Sequence, residues 1–170
     1  MSKPSPTAYP GYFQRYIDQV PEQDLFTAFA NQLPVIRTFL SAISEEQSNH
    51  AYAEGKWTIK ELLQHMIDTE RVFSYRALCF ARKEAQSLPS FEENDYAANS
   101  NANSRNWSSL VDEFLVVRQS TTMLFESFSE EALASVGTAN NNTTSVAAIG
   151  FITLGHFYHH KKVMEERYLK

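Results

Sequence analysis

Leu110, Phe114, Val117, Thr121, Leu124 and Phe128 recur at steps of four, three, four, three and four, a rhythm that winds the chain into an amphipathic helix. The same period returns three more times. After Pro21 an apolar stripe runs through Leu25, Phe29, Leu33, Ile36, Leu40 and Ile43; Pro34 lies inside it and is expected to kink the helix or end its first half. Thr58 and Glu61 form a capping box that opens a second run, with Leu62, His65, Thr69 and Val72 on one face and Leu63, Met66, Phe73 and Ala77 beside it. The last stripe is Ile149, Ile152, His156, His160, Val163 and Arg167, capped by Thr144 or Ser145 and reaching about Tyr168.

Shorter signals fill the gaps. Ser44 to Gln47 reads as another capping box, Ser129 starts a brief helical turn that Gly137 ends, and Asn140 to Thr144 reads as a polar turn. Glu84 to Asn106 is the longest irregular stretch, and loops of that size are usually functional. The expectation is an all-α chain with no strands: a four-helix bundle with a long crossover loop. Pro4, Pro6, Pro10 and Gly11 set residues 1–20 apart as an extended N-terminal arm, leaving residues 21–170 as one helical domain.

The totals exclude several function classes. A net charge of −5 opposes a phosphate backbone, and no basic run is longer than Lys161-Lys162, so no nucleic-acid partner is expected. No segment approaches the roughly 18 apolar residues of a membrane span, and the N-terminus has no apolar core of a secretory signal. The single cysteine, Cys79, allows no intrachain disulfide. A cytoplasmic protein acting on a small molecule is the expectation.

Histidines supply the chemistry. His156 and His160 stand one turn apart in an otherwise apolar stripe, and two unpartnered imidazoles are costly to bury. Shared coordination of a cation satisfies both, and His65 on the second stripe offers a third nitrogen. The bland alternative is a core histidine bonded to a carboxylate or carbonyl. His159, three residues from His156, could pair with it in place of His160, so spacing alone leaves the set open.

Two segments narrow the choice. Trp57-Thr58-Ile59-Lys60-Glu61-Leu62-Leu63-Gln64-His65-Met66-Ile67-Asp68-Thr69-Glu70 and Gly155-His156-Phe157-Tyr158-His159-His160 resemble the two motifs of the DinB/YfiT-like superfamily, and the likeness covers nearly the whole chain. The resemblance implies a four-helix bundle with the motifs on its second and last helices. It implies a divalent metal held by His65, His156 and His160, with His159 outside. It further implies a metal-dependent enzyme of the thiol-dependent S-transferase or hydrolase type, a low-molecular-weight thiol as a cofactor, and a homodimer. Phe157 and Tyr158 depart from the acidic and aliphatic residues that the second motif implies.

Neutral imidazoles suit zinc first, and also nickel, iron or manganese. Glu61 and Asp68 flank His65 and are candidates to orient an imidazole, although Glu61 also fits the role of helix cap. Glu70 reads as a surface charge. Tyr96 and Arg105 are candidate pocket contacts from the long loop. The alternative function is a non-catalytic metal- or small-ligand-binding bundle, itself dimeric.

Overall fold

The computed structural model describes residues 1–170. Four long helices follow the four stripes: α2 (Leu25–Ser41), α4 (Ile59–Ala81), α6 (Trp107–Glu126) and α8 (Val146–Val163). The short helix α1 (Gln14–Ile17) precedes them, and α3 (Glu45–Ser48), α5 (Glu93–Asn99) and α7 (Glu130–Ala134) lie between them. Side-chain caps set the starts. Asp24, Thr58 and Ser145 each accept from a backbone N–H in the first turn, and Thr58 with Glu61 completes the capping box.

Both α2 and α4 pack against α6 and α8, so α2 and α4 face each other across a diagonal. The burial pattern fixes their directions. One apolar cluster gathers Leu25 and Phe29 of α2, Phe73 and Phe80 of α4, Phe125 of α6 and Phe151 of α8. A second gathers Ile36 and Leu40, Leu63 and Ile67, Phe114, and Phe157 from the same four helices. Hence α4 and α6 run the same way, opposite to α2 and α8. Residues 82–106 therefore travel back along the bundle, the crossover expected from the sequence.

On every long helix a polar residue marks the change from one cluster to the other: Gln32, Glu70, Arg118 and His156, all buried. Arg118 grips Glu70 with two parallel bonds of 2.8 Å and also donates to the Gln32 side chain, whose amide donates to the Leu154 carbonyl at 2.9 Å. Such a pair is tolerated inside a bundle only because every member finds a partner.

Three features differ from the sequence expectations. Pro34 does not end α2, which continues to Ser41; Pro34 and Ala30, whose carbonyl it cannot serve, both lie on the exposed face, where that acceptor is open to water. Two strands, β1 (Val136–Ala139) and β2 (Asn142–Ser145), form an antiparallel hairpin where a polar turn and no strand was expected. Asn140 and Asn141 turn it with φ of 48° and 58°, the left-handed conformation that asparagine tolerates and such hairpins require. Gly137 sits in β1, against the Phe80 ring; a Cβ there would lie 2.0 Å from it. Residues 1–20 are not an extended arm. They hold two 3-10 turns and α1, and they bury Tyr9, Ile17 and Val20 in the first cluster.

Candidate metal centre

Helix α8 is buried on every side from Val146 to Leu154, with Thr153 its one polar residue there, so it runs through the middle of the protein, and the imidazole of His156 arrives there buried. His160 follows one turn later. His65 faces both from α4 and is itself 5 % exposed. The His65 and His156 Nε2 atoms are 3.2 Å apart, and those of His156 and His160 are 2.9 Å apart. One ring nitrogen from each of the three lies within 4.8 Å of the others.

Hydrogen bonding among three rings accounts poorly for this geometry. The Nε2 of His156 has one lone pair or one proton, not both, so it serves two close nitrogens only by sharing. A cation removes the conflict. With bonds of about 2.0–2.1 Å, ligand nitrogens around a tetrahedral or octahedral ion sit about 3 Å apart. The donor set therefore fits a divalent ion.

Electrostatics prepare the nitrogens. Burial lowers the His65 pKa to about 4. Burial first, then the neighbouring histidines, holds His156 and His160 well below the ordinary imidazole value. All three rings are neutral at pH 7, with lone pairs available. Thr69 Oγ1 lies 3.5 Å from the His65 Nδ1, and the Nδ1 of His160 is buried without a partner.

A cavity of about 250 Å³ opens beside this cluster, with His65 and His156 in its lining. Its other walls come from short segments. Tyr12 and Tyr16 belong to the N-terminal segment, Phe91 to the crossover, and Asn140, Asn142 and Thr144 to the hairpin. Tyr16 presents its ring to the edges of both His156 (5.6 Å) and His159 (5.2 Å). His159 is not among the three histidines whose ring nitrogens converge, and His50 is exposed in the connector.

The remaining candidates stand elsewhere. Glu61 caps α4, accepting from the Thr58 backbone N–H at 2.8 Å. Asp68 accepts from the Gln64 amide at 2.9 Å, and burial raises its pKa. Arg105 donates to Gln64 at 2.9 Å and pairs with Glu113. Tyr96 is exposed and packs on Phe91 at 5.1 Å. None of the four lines the cavity. Sequence reasoning missed the burial of Glu70, taken for a surface charge. The signal was available: Phe114, Arg118, Thr121 and Phe125 step four, three and four, placing an arginine on the core face of α6. Nothing in the sequence marked Tyr16 as a neighbour of His156.

Comparison with known proteins places this geometry. A model of the DinB superfamily matches residues 28–164, most of the chain and both histidine segments. The chain belongs to the DinB superfamily. Among curated proteins, the "Putative metal-dependent hydrolase" of Geobacillus kaustophilus (strain HTA426) is 26% identical over 105 residues, 60% of this chain and 59% of the relative. The match thus spans less than two thirds of that relative's length. Among solved structures, YfiT from Bacillus subtilis, described as a probable metal-dependent hydrolase with an unusual four-helix bundle topology, superposes with a TM-score of 0.72. The two are 13% identical, and the alignment covers 96% of this chain and 90% of YfiT. A mycothiol-dependent maleylpyruvate isomerase superposes with a TM-score of 0.66 at 12% identity, over 88% of this chain and 59% of the isomerase. The likeness to YfiT extends the shared fold over 96% of the chain.

Proposed function

We propose that this DinB protein is a metal-dependent enzyme acting on a small molecule, with one divalent ion held by His65, His156 and His160. The observation that carries the reading is the convergence of three neutral imidazole nitrogens at the wall of a cavity. The names of the Geobacillus relative and of YfiT support a hydrolase, and the isomerase supports a low-molecular-weight thiol as co-substrate.

Three neutral ligands would leave a divalent ion its full charge and would not by themselves fill its coordination shell. When bound, such an ion supplies a coordinated water or thiol with a pKa near neutrality, and hence a nucleophile. The chain's own residues hold that arrangement in place. Burial keeps the imidazoles unprotonated, α8 fixes His156 and His160 one turn apart, and Tyr16 and Phe73 pack against His156 in edge-to-face geometry with ring centroids 5.6 and 6.3 Å away. Zinc is the proposed occupant, with nickel, iron and manganese as competitors for the same donors.

Elemental analysis of the purified, untagged protein and of His65→Ala tests the reading. About one metal per chain, lost in the variant, is the expected result. No metal in the wild type, even after reconstitution with zinc, nickel and manganese, would overturn it.

A further inference from the structure

Arg76 stands on the cavity wall without an acidic partner. It lies on α4 in register with the site: His65, Thr69, Phe73 and Arg76 step four, four and three, and all four line the cavity. Arg71 pairs with Glu113 and Arg118 with Glu70, whereas Arg15, which also lines the cavity, is exposed and donates to the Tyr16 hydroxyl at 2.9 Å. Arg76 is half-buried, and its only hydrogen bond goes to the Pro89 carbonyl at 2.8 Å. Its burial lowers its pKa, so its charge is incompletely hydrated. A desolvated guanidinium with donors to spare is an anion-binding group, and its planar fork matches a carboxylate.

The rest of the cavity defines what else the ligand carries. Between Arg76 and His65 the α4 wall is Phe73 and Thr69, and Phe13 meets the Phe73 ring edge-on at 6.2 Å. Phe80 and Phe91 extend the apolar surface. Glu93 and Arg15 also line the cavity, so two guanidinium groups face one carboxylate, a net balance that suits one negative charge better than the two of a phosphate monoester. About 16 Å of helix rise separates Arg76 from His65, and the Cα–Cβ bond of Arg76 tilts back toward the histidine end.

We propose that the cavity binds a small monocarboxylate with an apolar or aromatic body, its carboxylate on Arg76 and its far end directed at the three histidines. The orientation rests on the metal reading given above; the carboxylate contact needs no ion.

The test compares 3-phenylpropionate with its neutral isostere 3-phenylpropanamide, titrated by NMR into protein as purified and into chelator-treated protein. Wild type is expected to favour the acid at least fivefold in both. Arg76→Gln should remove that preference while leaving amide binding unchanged, which also reports that the cavity is intact, and Arg76→Lys should restore part of it. Equal binding of the two probes to wild type, no binding of either, or a preference that survives Arg76→Gln in chelator-treated protein would overturn the proposal. A preference lost on chelation but kept in Arg76→Gln would place the carboxylate on the ion, refuting the role of Arg76 and leaving the metal reading standing. A preference kept without metal and lost in Arg76→Gln upholds the proposal even where elemental analysis finds no ion.

Discussion

Gly155 and Tyr16 meet so closely that a Cβ on the glycine would lie 2.0 Å from the Tyr16 carbonyl oxygen. That obstacle is backbone, so α1 must move as a unit to relieve it. Gly155→Ala is therefore expected to lift α1 off α8, to cost about 1–3 kcal/mol as overpacking does, and to open the cavity wall beside His156. Urea unfolding reads the stability loss. Faster carbethoxylation of His156, followed by mass spectrometry, reads the opening; an unchanged rate would show that α1 accommodates the methyl group without leaving the site.

The choice of His160 over His159 makes a paired prediction. His160→Ala should abolish stoichiometric zinc binding, whereas His159→Ala should leave it within about threefold of wild type, a change of about 0.7 kcal/mol. Competition against a chromogenic chelator measures both. Equal losses would mean that His159 turns inward when the ion binds.

Acid should destabilise the metal-free protein through the same rings. The folded His65 has a pKa of about 4, against 6.5 for an ordinary imidazole, and His156 and His160 are shifted in the same direction. Between those values the unfolded chain holds protons that the folded chain refuses, so stability is fully present above pH 6.5 and falls as the pH drops toward 4. Each histidine that stays neutral across that window contributes about 1.4 kcal/mol per pH unit. Denaturant midpoints of chelator-treated protein between pH 7.5 and 4.5 should decline, and the triple alanine variant should decline less steeply.

Arg118→Met would leave the Glu70 carboxylate buried and unpaired, at a cost of about 3–5 kcal/mol. Changing both partners, Glu70→Leu with Arg118→Met, should recover most of that loss, because no charge is then stranded. The recovery separates a device for specificity from a source of stability. If the double variant is as unstable as the single one, the pair contributes directly to stability.

Much of this architecture was legible in advance because its determinants are local. Capping at Thr58 and the period of the α6 stripe need only neighbouring residues, and both motifs lie within single helices. Spacing alone left His159 in contention with His160, and it was the resemblance of the two motifs to the DinB/YfiT-like superfamily that implied His65, His156 and His160. What escaped depends on contacts between distant segments. Glu70 looks like any charged residue on a helix until Arg118 arrives from 48 positions away. Tyr16 becomes a wall of the site only because Gly155, far along the chain, has no side chain to keep it out. The hairpin was a different kind of miss: Asn140-Asn141 is a recognisable left-handed turn, but Gly137 was taken as a helix stop and not as the one residue that fits under Phe80.

The origin of the cavity walls bears on how this fold diversifies. The three histidines stand on long helices whose other faces fill the core, so substitutions there are constrained from every side. The outer wall of the cavity, by contrast, comes from Tyr12, Phe13 and Tyr16, from Phe91 and Glu93, and from the hairpin around Asn140, each on a short segment at the edge of the bundle, while Phe73 and Arg76 complete it from α4. That outer half can be rewritten in a few peripheral codons without disturbing the helices that carry the three histidines.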